Sequence, residues 1–122
     1  MNKEKILVGN SFPLSLIRRD VKIEMYDIGE FCQKAQFAEI ISFWGHRNTL
    51  TAVKNALGID LTPPGDRPVL TLSAKNKPVL DEMEFSECWI LSPDYRKNFR
   101  PAIGEEVSTD DICNWQCLKI TF

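Results

Sequence analysis

The sequence predicts an α+β domain: a single mixed β-sheet of about five or six strands with two main helices packed on one face. Two observations carry most of that expectation. "VKIEMYDI" (21–28) alternates between apolar and polar residues, the pattern of a strand with one buried face. Leu50, Val53, Ala56 and Leu57 recur at helical spacing and make one apolar stripe. A third is length, since 122 residues with 43% hydrophobic and 26% charged content suit one globular domain, 1–122.

The elements follow in chain order. "KILVG" (5–9) is a short apolar run ending in glycine and reads as a buried strand. In "NSFPLSLI" (10–17), Pro13 breaks regularity. In 21–28, Val21, Ile23 and Met25 form the expected inner face, against Lys22, Glu24 and Tyr26. Ile28, Phe31, Cys32 and Ala35 predict a short helix over 27–37. "AEIISFW" (38–44) is a strand or a buried extended segment.

The clearest helix is 49–57, with Asn48 as N-cap and Gly58 where a left-handed C-cap residue belongs. "DLTPPGDRP" (60–68) is a loop. Strands are expected at 68–73, 83–92 and 112–122, with a turn at 74–78. In the last strand Leu118, Ile120 and Phe122 share one face and Cys113, Trp115 and Cys117 the other. The polar stretch 93–111 is a long loop, and loops of that length in compact domains are usually functional.

Charge and cysteine usage narrow the function. A formal net charge of −2 and a pI of about 5.4 disfavour binding to long nucleic acid, which needs a basic excess. No run approaches the ~20 apolar residues of a membrane span, and the N-terminus lacks the features of a signal peptide. The chain therefore reads as cytoplasmic, with its four cysteines as free thiols. Cys113 and Cys117 have the spacing of half a zinc site, but no second pair lies near them. The simpler reading makes them small hydrophobes on one strand face, so no metal and no cofactor is expected.

The chemistry centres on His46, the sole histidine. Gly45 and His46 join an extended segment to a helix N-terminus, where free N–H groups suit a phosphate. Thr49 and Asn48 add a hydroxyl and an amide. A histidine titrating near neutrality is the usual general acid, although a lone histidine before a helix also serves as a cap or surface residue. Arg67, Arg96, Lys97 and Arg100 could clamp phosphates or simply be solvated, and Phe12, Trp44, Tyr95 and Phe99 could stack on a base or anchor the fold.

"LVGNSF", "GHRNTLTAVKNALGIDLTPPGDR" and "RPAIGEE", in that order and followed by a final strand, make the chain resemble the viral ring nucleases. These are small type III anti-CRISPR proteins of archaeal viruses, phages and mobile elements. The resemblance implies a homodimer that binds cyclic tetra-adenylate across its two-fold axis. It implies metal-independent cleavage to linear di-adenylate with 2′,3′-cyclic phosphate ends. Carried over by residue, His46 is the general acid, Asn10 contacts the ligand near the reacting ribose or phosphate, Arg67 and Arg100 hold phosphates, and Thr49 lies beside the bound backbone. Ile103 stands where the family has a glutamate, with Glu105 and Glu106 just after it. Two other functions are consistent with the sequence: a cyclic-nucleotide binding protein that does not cut, and an interaction protein that presents an exposed tryptophan to a host factor.

Overall fold

The computed structural model describes residues 4–45, 49–63, 69–95 and 112–122. The elements run β1 (Glu4–Gly9), a 3₁₀ turn (Leu14–Leu16), β2 (Lys22–Tyr26), α1 (Ile28–Gln36), β3 (Ala38–Ser42), α2 (Leu50–Leu57), β4 (Thr71–Leu72), β5 (Pro78–Leu80), β6 (Met83–Glu84), β7 (Glu87–Tyr95) and β8 (Ile112–Thr121). The fold is α+β. A mixed five-stranded sheet has the order β2-β8-β7-β1-β3, and β4-β5-β6 form a small second sheet. β1 runs parallel to β3 and to β7, while β8 runs antiparallel to β7 and β2.

Alternation divides the core between two faces. On one face Ile6, Val8, Trp89, Leu91 and Cys117 pack with Phe31 and Ala35 of α1 and Val53 of α2. On the other, Leu7, Cys88, Ile90, Ile120 and Phe122 pack with Leu80 and Phe85 from the small sheet and its following turn. Both helices therefore lie on one face, as expected. The strands expected in one sheet are divided between two, because the 68–73 run pairs with Pro78–Leu80 and leaves the main ladder. Leu118, Ile120 and Phe122 do share a face opposite Trp115 and Cys117.

Three expectations are corrected. Ile23 and Met25 do not face the core: they are 54% and 74% exposed, and Tyr26 packs inward against Trp89 at 5.1 Å between ring centroids. β2 is an edge strand, and α1 covers the face that carries Tyr26, so burial there outweighs the apolar pattern. In α2, Ala52 and Val53 are buried and Ala56 is exposed, a rotation of the expected stripe. The stretch 93–111 is not wholly loop, since β7 continues through Pro93 to Tyr95 opposite β8. Proline is tolerated there because β1 pairs β7 only at Cys88–Ile90, so beyond Ile90 the ladder to β8 is the one it must satisfy among the described residues.

Candidate functional site

β1 and β3 run in parallel, so their carboxyl ends open at the same edge of the sheet. In open parallel sheets such an edge is where ligands bind. β1 ends at Gly9, where nothing larger fits: a Cβ there would lie 2.3 Å from the Phe43 ring. The chain then turns out at Asn10, whose carbonyl accepts a hydrogen bond from the Ser92 hydroxyl at 3.4 Å. β3 leaves the sheet with the Phe43 N–H donating to the Val8 carbonyl at 2.9 Å.

The link from β3 to α2 is held by buried polar contacts. The Ser42 hydroxyl donates to the Leu61 carbonyl at 2.6 Å and accepts from the Trp44 N–H at 3.1 Å. The Trp44 indole N–H donates to Thr49 Oγ1 at 2.9 Å. Thr49, 1% exposed, is the N-cap residue of α2, the position expected of Asn48. Gly58 closes α2 in the left-handed region at φ 69°, as expected. Beyond it, the Thr62 hydroxyl and N–H bonded to Asp60 hold that carboxyl below its ordinary range.

Across this edge, the Gly45 N–H donates to Asn10 Oδ1 at 2.7 Å. That bond joins positions 35 residues apart and closes one side of a cavity of about 500 Å³. Asn10, Ser11 and Gly45 supply its polar wall, and Leu16, Phe43 and Leu70 an apolar one. Such a space can take a ligand with one polar and one flat apolar part. Asn10 is half-exposed, and its Nδ2 makes no hydrogen bond to another described residue.

Of the residues singled out in the sequence, Asn10 lines the cavity and Thr49 anchors the neighbouring helix through Trp44. His46, Asn48, Arg67, Arg96, Lys97, Phe99 and Arg100 lie outside the described residues, as do the Tyr95 and Cys113 side chains. Trp44 is buried and held by Thr49, and Phe12 packs edge-on to Phe43 at 6.4 Å, so both serve as anchors. The cavity's apolar wall was missed. A glycine closing an apolar strand, followed by a polar pair, was the available signal for it. Among the described residues no group of three or more His, Cys, Asp or Glu could hold a metal ion, and no helix is long and apolar enough to cross a membrane.

The class defined by this fold is a small α+β domain with a ligand-sized cavity at the carboxyl edge of parallel strands. No protein-family model and no curated protein sequence matches the chain. Among solved structures it is similar to B116 of Sulfolobus turreted icosahedral virus, with a TM-score of 0.59 at 17% identity, over 97% of this chain and 99% of that one. At that identity the likeness is one of fold.

Proposed function

We propose that the protein is a metal-independent ring nuclease that opens cyclic tetra-adenylate and thereby counters type III CRISPR signalling. The observation that supports this most is the Asn10–Gly45 hydrogen bond at the cavity wall. The resemblance rests largely on two sequence blocks, one holding Asn10 and the other beginning at Gly45, and both meet there. The likeness in fold to an archaeal-virus protein agrees with the kind of source the resemblance names.

In this reading the ribose 2′-hydroxyl attacks the adjacent phosphorus and gives up its proton to water. The phosphorus–O5′ bond breaks, and His46 gives its proton to the leaving O5′. The product carries a 2′,3′-cyclic phosphate. Asn10 Nδ2 donates to the reacting nucleotide, and Arg67 and Arg100 offset charge on the phosphates. Gly45, the residue before His46, and Val69, two residues after Arg67, both line the cavity. Thr49 acts through Trp44 as a positioning residue. A two-fold ring suits a symmetric dimer, so one histidine per subunit supplies two cleavage sites.

Incubation with a panel of cyclic oligoadenylates in EDTA, with chromatography of the products, tests the reading. Cyclic tetra-adenylate should give linear di-adenylate, and His46→Ala should lose at least ~100-fold in rate. Tight binding with no product would instead support a sponge, a reading that draws on Ile103 in the family's glutamate position. The interaction-protein reading finds less support, since Trp44 and Trp89 are buried and Trp115 is half-buried.

A further inference from the structure

We infer that β2 is a self-association edge at which a second copy of the chain pairs antiparallel about Ile23. The interface is separate from any dimer that closes the cavity, because β2 lies three ladder positions from β1, about 14 Å away at the usual strand spacing.

Two independent features of β2 carry the inference. Ile23 and Met25 are large apolar residues at 54% and 74% exposure on a strand that pairs only with β8 among the described residues. Exposed apolar edge strands are templates for pairing, and isolated domains usually blunt them. The second feature is self-complementarity. Rotated about Ile23, Val21 meets Met25 of the other copy, and Lys22 meets Glu24 twice over. Just outside the strand, Arg19 falls opposite Asp27. A register centred on Glu24 would instead oppose two glutamates, and a one-residue slip would mix the faces.

Within one chain Lys22 Nζ already lies 3.7 Å from Glu24 Oε2, on the face away from Ile23. Pairing would therefore extend this charge row between copies and cover Ile23 and Met25 on the opposite face. Five residues of ladder make a small interface, so association is concentration-dependent.

Sedimentation over a range of concentrations tests the inference. At high concentration the wild-type chain should have twice the mass of Ile23→Lys if the cavity-closing assembly is one chain, and at least twice if it is two, because a dimer carries two such edges. Lys22→Glu and Glu24→Lys should each associate about tenfold more weakly, because each opposes like charges at two positions. Mixed together, these two variants should associate again, since every opposed pair is then of opposite sign. Ile23→Cys should form an inter-chain disulfide on mild oxidation that the wild-type chain does not, because directly opposed strand residues lie within bridging distance. Unchanged mass in Ile23→Lys, or no recovery in the mixture, would overturn the inference. Cleavage of cyclic tetra-adenylate by Ile23→Lys at the wild-type rate would leave the proposed activity standing whatever the sedimentation result.

Discussion

At Gly9 the constraint is a ring. A Cβ at that position would come within 2.3–2.7 Å of three Phe43 carbons. Phe43 packs with Phe12 and the small-sheet residues on one side and faces the cavity on the other, so relief would push its ring into the cavity. Gly9→Ala should cost about 1–3 kcal/mol in urea unfolding, the range for overpacking. Phe43→Leu in the same chain should recover part of that loss. The sequence shows why Gly9 ends a strand but not that an aromatic side chain 34 positions later rests on it. Asn10 illustrates the same division. A polar residue after an apolar run marks the edge of a sheet, whereas its bond to Gly45 depends on β1 and β3 lying side by side. Periodicity carries no information on that pairing.

Among the elements, helices were the most legible. Apolar spacing and Gly58 located α2 because both are local, and α1 follows Ile28, Phe31 and Ala35 for the same reason. Strands were found, but not their partners. The face of β2 is the reverse of the expected one because Tyr26 packs on Trp89, with Lys119 Nζ over the same ring, on the face that α1 covers. The β5–β6 hairpin was missed because its two-residue turn is Asp81–Glu82, without glycine or asparagine, and both adopt positive φ, 50° and 65°. Aspartate tolerates that geometry, but for Glu82 it is costly. Glu82→Gly should therefore raise stability by about 0.5–1 kcal/mol in chemical denaturation.

For the molecule as a whole, the two core layers make the alkaline limit of stability predictable. Burial pushes the Cys117 thiol up to about 12, with Cys32, Asp27 and Glu30 nearby adding to it, and burial raises Cys88 further. An unfolded thiol ionises near pH 8.5, so above that pH the unfolded chain releases protons that the folded chain keeps. Stability should fall as pH rises from about 8.5 toward 12. Lys119 acts in the same direction, because its hydrogen bond with Tyr26 raises its pKa and that contribution is lost at high pH. Cys117→Ala should flatten the alkaline slope in urea titrations run at successive pH values. In native protein at pH 8, iodoacetamide should leave Cys88 and Cys117 unmodified, as peptide mass mapping would show.

The Ser42 hydroxyl touches both the start and the finish of the 43–61 excursion, through the Trp44 N–H and the Leu61 carbonyl. A segment whose ends meet can change length without moving the scaffold that carries it. Doubling such a loop costs only about 0.6 kcal/mol in closure entropy. The rim on the α2 side of the cavity is thus the part of this architecture freest to lengthen or shorten, and ligands of different girth could be accommodated there while the five-stranded frame stays as it is.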